Sequence, residues 1–183
     1  SCRRVHRPDA IPFHCRFEPH GEWWERIRPH LTVHRVPHEP QGGDRVVLRI
    51  AGSAPAPDVA ALAGLPGVEL VADPVGLAAC YAWADLAVVP LTAGGGTRIK
   101  LIEAFANGVP VVATSIGVEG IAAMHGVHLL IADAPAAFAD ACAKVLADSV
   151  LAARLAEEAR TLVEARYAHA HGVHAVRNAF DRL

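Results

Sequence analysis

No apolar stretch in this chain of 183 residues approaches the ~18 uninterrupted residues of a membrane-spanning helix, although 52% of it is hydrophobic. The opening SCRRVHRPDA lacks the apolar core of a secretory signal. The four cysteines, Cys2, Cys15, Cys80 and Cys142, form no CxxC pair and no metal-ligand spacing, so a reduced, cytoplasmic setting is expected. Peripheral attachment to the inner face of a membrane is compatible with that setting. A surplus of one charge is missing too. With 17 Lys+Arg against 19 Asp+Glu there is no sign of the wide basic face of a nucleic-acid binder, and any anion site has to be local. Lysine is scarce, only Lys100 and Lys144. Neither GxxxxGK[ST] nor GxGxxG occurs, which removes the P-loop and the dinucleotide fingerprint, and no internal repeat is found.

What is present, from residue 45 onward, is alternation. Five short apolar runs, RVVLRIAG, GVELVA, DLAVVPL, VPVVAT and HLLIA, read as strands covered on both faces, because they are nearly continuous in Val, Leu, Ile and Ala. Between them PDVAALAG, VGLAACYAWA and RIKLIEAFANG read as helices, and a short connection runs near residues 115–126. Strand and helix taking turns predicts an α/β domain with a single doubly wound parallel sheet. Further helices follow from Pro135 to about Ala147, from a cap at Ser149 towards Tyr167, and over roughly Gly172 to Leu183. Residues 1–44 are poorly patterned and rich in His, Pro and Arg. EWWERIRPHL could be a helix there, IPFHCRF a strand, and HEPQGGD a turn.

The chemistry concentrates in PLTAGGGTRIKLIEAFANGVPVVAT, residues 90–114. In open α/β sheets, ligands bind beyond the carboxyl ends of the strands, where loops lead into helix N-termini. TAGGGT occupies such a place, and Gly94, Gly95 and Gly96 remove every Cβ, so that backbone N–H groups can approach a ligand closely. Thr97 is the expected N-cap. Arg98 and Lys100 then fall in the first turn, where the helix dipole disfavours each cation by roughly 0.3–1 kcal/mol. An empty helix is ill served by that arrangement and one holding an anion is favoured by it. Helical spacing puts Ile99, Ile102 and Phe105 or Ala106 on the face that packs on the sheet, with Lys100, Glu103 and Asn107 on another. A solvated Lys100–Glu103 pair and a ligand-binding pair both fit that spacing.

The run VVPLTAGGGTRIKLIEAFANGVPVVATSIGVEGI, followed by GVHLLIADAPAAFADACAKVLAD, resembles the donor-binding half of glycosyltransferase family 4, over roughly residues 45–167. That family comprises retaining, nucleotide-sugar-dependent enzymes of GT-B fold. The resemblance implies a Rossmann-like domain, no cofactor, a nucleoside-diphosphate sugar as substrate and a saccharide or lipid-linked acceptor, as in polysaccharide biosynthesis. It implies that Gly94, Gly95, Gly96 and Thr97 hold the donor diphosphate and sugar, that Glu103 binds donor ribose, and that ADPVGLAACY lies near the base. Arg98 and Lys100 resemble basic residues of one branch of the family, and their contact with the diphosphate is inferred from helix electrostatics. Glu119 and Gly120 match another recurring loop, with Glu119 a further candidate.

Two departures stand out. Many members carry a glutamate eight positions before the ribose ligand, and here Gly95 stands there. The fold also calls for an N-terminal acceptor domain, for which this chain has no room, so the chain alone is expected to bind donor and transfer little. The family's usual diphosphate cations from the first strand and helix cannot be matched, although Arg26 and Arg28 are candidates. A non-catalytic regulatory module, or a related epimerase or phosphorylase, is the competing expectation. Elsewhere, His169, His171 and His174 are spaced irregularly for a metal and no protein-bound metal is expected. His125 and His128 read as turn residues, Trp23 and Trp24 as core or interface, and Asp73 and Asp85 as caps.

Overall fold

The computed structural model describes residues 30–36, 45–52, 54–55, 57–65, 67–74, 78–93 and 98–167. Two strands come first, β1 (His30–Val36) and β2 (Arg45–Gly52). Helix α1 (Pro57–Ala61) runs into a 3-10 turn, Leu62–Gly64, and strand β3 (Val68–Ala72) follows. Helix α2 (Ala78–Ala82) leads to strand β4 (Leu86–Val89), helix α3 (Ile99–Ala106) to strand β5 (Val111–Ala113). The short helix α4 (Ser115–Val118), strand β6 (Leu130–Ile131) and helices α5 (Pro135–Ala147) and α6 (Ser149–Arg166) complete the described elements.

The six strands form one sheet in the order β3-β2-β1-β4-β5-β6. The pairs β2–β3, β4–β5 and β5–β6 are parallel, as strand–helix alternation predicts. Strand β1 departs from that rule. It lies between β2 and β4 and runs antiparallel to both, pairing His30 with Ala51, Val36 with Arg45 and Leu31 with Val88. The reason is chain length: a parallel return needs a crossover of a dozen or more residues, and only positions 37–44 separate β1 from β2. Strand β1 also takes His30 and Leu31 from the end of the expected helix EWWERIRPHL, whose remainder lies outside the described residues.

Period-2 alternation divides the strands between two cores. Leu48, Ile50, Leu86, Val88, Val112 and Leu130 join Val59, Phe138, Val145 and Leu155 on one face. Ala87, Val89, Val111 and Ala113 join Leu101, Ala104, Phe105, Leu162 and Val163 on the other. Helix α6 serves both, through Leu155 in the first and Ala159, Leu162 and Val163 in the second. Among the described residues, Cys80 and Cys142 are buried and form no disulfide. No helix of these residues is long and apolar enough to cross a membrane.

Helix α3 buries only part of the expected row. Phe105 is buried as expected, together with Leu101 and Ala104, while Ile102 is half-buried against the same cluster and Ile99 is 57% exposed. Two apolar rows overlap in IKLIEAFA, both at helical spacing, and the contact with the sheet and α6 selects one. Helix α3 stops at Asn107, whose side-chain amide donates to the Glu103 carbonyl (2.8 Å). At Gly108, φ is +66°, a left-handed conformation that favours glycine at this turn.

Helix α6 is capped by Asp148 and not by Ser149, which is its first helical residue. The Asp148 carboxylate accepts from Val150 N (3.0 Å) and Leu151 N (2.9 Å). Replacing Asp148 by Ala is expected to cost about 1 kcal/mol, seen as a melting temperature lower by a few degrees. Ser149→Ala, by contrast, should leave thermal unfolding close to that of the parent protein.

Candidate functional site

Strand β4 ends at Val89, β5 at Ala113 and β6 at Ile131, and their carboxyl ends carry the groups that sequence reasoning singled out. Strands β4 and β5 are buried on both faces, so polar chemistry enters only past their ends. Thr114 is the first such residue. Its hydroxyl donates to the Leu91 carbonyl (2.5 Å) and accepts from Gly117 N (3.0 Å), capping α4 while tying it to the segment after β4. Gly117 allows that approach, because a Cβ there would stand 2.6 Å from the Val89 carbonyl oxygen.

On the other side of α4, Asp133 beyond β6 accepts from Ser115 N and from the Ser115 hydroxyl, both at 2.7 Å. The Ser115 N–H is one of the donors a helix start leaves without an internal partner. These bonds hold the Asp133 carboxyl below its ordinary range, the backbone bond first and the hydroxyl second.

Helix α3 meets this assembly with its N-terminus. Arg98, and not the expected Thr97, which lies outside the described residues, takes the capping position before the helix, without a side-chain cap bond, and is only 7% exposed. Its Nε donates to the Ile116 carbonyl (2.9 Å) and its Nη2 to Glu119 Oε2 (3.2 Å). Glu119 itself is largely solvent-facing, at the end of α4. Lys100, two positions on, is half-buried. Burial lowers its pKa from the ordinary lysine value, and the neighbouring Glu103 carboxylate works in the opposite direction.

Glu103 lies one turn further along the helix. The Tyr81 hydroxyl, at the end of α2, donates towards both Glu103 Oε2 (3.4 Å) and the Lys100 carbonyl (3.3 Å). Burial, and then the Glu103 charge, push the Tyr81 hydroxyl pKa upward, so it stays a donor at every physiological pH. The structure therefore brings together Arg98, Lys100, Glu103 and Glu119, while Gly94, Gly95, Gly96 and Thr97 lie outside the described residues, as do Arg26 and Arg28.

Sequence reasoning missed Thr114 and Asp133, and it named Tyr81 only as the last residue of ADPVGLAACY, without its bond to Glu103. Thr114 carried a local signal, a hydroxyl residue directly between an apolar strand and a short connection. The bonds of Tyr81 and Asp133 carried none, since their partners are 22 and 18 positions away. Asp73 does not cap a helix: with φ at +48° it accepts from Ala54 N (3.0 Å), bracing the ends of β2 and β3. His125 and His128 accept through Nδ1 from Ile131 N (2.9 Å) and Met124 N (3.0 Å), which makes both turn residues. The tail histidines and Trp23 and Trp24 lie outside the described residues.

Because the Asp133 pKa is lower in the folded state than in the unfolded chain, its contribution is fully present above the ordinary aspartate pKa near ~4 and fades as pH falls through the folded value. Urea unfolding of Asp133→Asn beside the parent protein should show a gap at pH 7 that closes in the acid range.

The same fold occurs in solved glycosyltransferase structures. The chain is similar to Anabaena HepE in complex with UDP-glucose, with a TM-score of 0.63 at 19% identity over 74% of this chain and 40% of that one. It is similar to sucrose-phosphate synthase from Thermosynechococcus elongatus, with a TM-score of 0.60 at 24% identity over 74% and 39%. It also resembles the C-terminal domain of a group 1 family glycosyltransferase from Francisella tularensis, with a TM-score of 0.52 at 20% identity over 58% and 57%. The chain thus spans 39–57% of the length of these three proteins. At such identities the likeness speaks for the fold, a Rossmann-like α/β domain as in the C-terminal halves of GT-B enzymes. None of the curated proteins matches the chain. The family described as glycosyl transferases group 1 matches residues 21–148, well over half of the sequence, and so this protein belongs to the group 1 glycosyltransferases.

Proposed function

We propose that this domain binds the nucleoside-diphosphate sugar donor of a glycosyltransferase that moves a hexose-like sugar to a saccharide or lipid-linked acceptor. The single observation that carries this reading is the pairing of Lys100 and Glu103. A half-buried cation and a carboxylate stand one turn apart near the N-terminus of α3, beyond the carboxyl end of β4, with the Tyr81 hydroxyl donating towards the Glu103 carboxylate and the Lys100 backbone carbonyl. In the proposed complex the diphosphate lies over the start of α3, where the helix dipole and the amides of Gly94, Gly95, Gly96 and Thr97 favour negative charge. The Lys100 ammonium contacts the diphosphate, and Glu103 accepts from the ribose hydroxyls.

Sugar transfer breaks the bond between the anomeric carbon and the diphosphate, so negative charge grows on the departing phosphate oxygen. Groups fixed at that oxygen before the reaction stabilise the transition state more than the ground state. Lys100 gains most from this, because its partly desolvated charge acts through less water. Arg98 adds positive charge at the same helix end without leaving its bonds to Ile116 and Glu119. An acceptor-binding domain supplies the opposite wall of the cleft, at the cytoplasmic face of a membrane when the acceptor is lipid-linked.

Calorimetric titration with UDP, GDP and their sugars tests the assignment. One of these nucleotides is expected to bind, and Lys100→Ala to weaken it roughly tenfold or more, the worth of one hydrogen bond to a charged group. Glu103→Gln should erase discrimination between that nucleotide and its 2′,3′-dideoxy analogue. Absence of binding by every nucleotide offered would sink the reading.

The lowered Lys100 pKa adds a pH signature. A diphosphate favours the protonated amine, so affinity should fall as pH rises through the Lys100 pKa, which lies below the ordinary lysine value. Lys100→Arg, whose guanidinium stays charged, should abolish that step in the titration curve.

A further inference from the structure

Arg98 is a charged residue at the helix end that repels positive charge, and it is buried. A buried guanidinium is tolerated only when its donors are matched. Two of its nitrogens are matched by one short element: Nε by the Ile116 carbonyl (2.9 Å) and Nη2 by the Glu119 carboxylate (3.2 Å). Arginine suits this because its planar fork can address a carbonyl and a carboxylate at once, which a lysine cannot reproduce. The Ile116 carbonyl also accepts from Glu119 N (3.3 Å), so it already belongs to the turn that presents the carboxylate.

The other half of the geometry lies in the backbone of Arg98. Its carbonyl accepts the first two bonds of α3, from Leu101 N (3.0 Å) and Ile102 N (3.3 Å). Fixing Arg98 therefore fixes the first turn of α3, which carries Lys100 and leads to Glu103. The element that holds it is itself anchored at its N-terminal end, by Thr114 on Leu91 and by Asp133 on Ser115.

We propose that Arg98 and Glu119 are positioning residues: their ion pair clamps the first turn of α3 to α4 and so sets the place of Lys100 and Glu103. Only its functional consequence rests on the donor-binding reading. The clamp opposes the alternative in which Arg98 is itself a diphosphate ligand restrained by Glu119, and the two differ in sign. Removing an exposed carboxylate near an anion site strengthens anion binding by simple Coulomb attraction, and releasing Arg98 would strengthen it further. Loss of a clamp weakens binding instead.

Glu119→Ala is the informative variant, since the residue is exposed and its loss leaves the core intact. Amide hydrogen exchange without nucleotide should quicken roughly tenfold at Leu101 and Ile102 while α6 stays protected, a local opening that general destabilisation would not produce. Affinity for UDP or GDP, whichever binds the parent protein, should fall about five- to tenfold, the size of one charge-assisted hydrogen bond, and Glu119→Gln should recover part of the loss. Unchanged exchange at Leu101 and Ile102 overturns the clamp whether or not a nucleotide binds. Quickened exchange with unchanged or tighter nucleotide binding overturns its positioning role. Failure of the parent protein to bind either nucleotide counts against the donor reading alone, and the exchange measurement then decides the clamp by itself.

Discussion

Strands β4 and β5 are buried on both faces, with Leu86, Val111, Val112 and Ala113 fully excluded from water. That constraint governs the rest of the molecule. A strand covered on both sides can hold no polar chemistry, so every functional group has to stand beyond its end. The covering helices also decide which glycines the ends need. Gly117 lets α4 fold back against the Val89 carbonyl, and Gly108, in its left-handed conformation, turns the chain at the end of α3.

Past those ends the structure solves an electrostatic problem. The N-terminus of α3 is electropositive, and two cations, Arg98 and Lys100, are placed there. Their environments separate them. Arg98 is bonded from α4, by the Glu119 carboxylate and the Ile116 carbonyl. Lys100 is partly desolvated beside Glu103, and burial weakens its hold on its proton, the state in which a cation gains most from an arriving anion. Two residues that look alike in sequence thus stand in different environments.

Much of this was legible in advance. Apolar runs of strand length between helical patterns marked β2 to β6 and the helices between them, because double-sided burial writes itself into composition. RIKLIEA and the EG pair marked the residues that come to stand beyond the strand ends, Arg98, Lys100, Glu103 and Glu119. Three features did not follow. The antiparallel β1 depends on the short span 37–44, which matters only once the sheet order is known. The buried face of α3 depends on which of two apolar rows meets the sheet. Tyr81 and Asp133 depend on partners far away in the chain.

The sequence by itself determined the alternating architecture and where the helix carrying Arg98, Lys100 and Glu103 begins, because those rest on local periodicity and on residue types that neighbours in the chain can explain. Only the tertiary structure decided that Arg98 faces Glu119, that Tyr81 stands over Glu103 and that Asp133 holds Ser115. Hydrogen bonds and ion pairs between residues 18 to 22 positions apart leave no periodic trace, and they exist only after the sheet has brought three strand ends together.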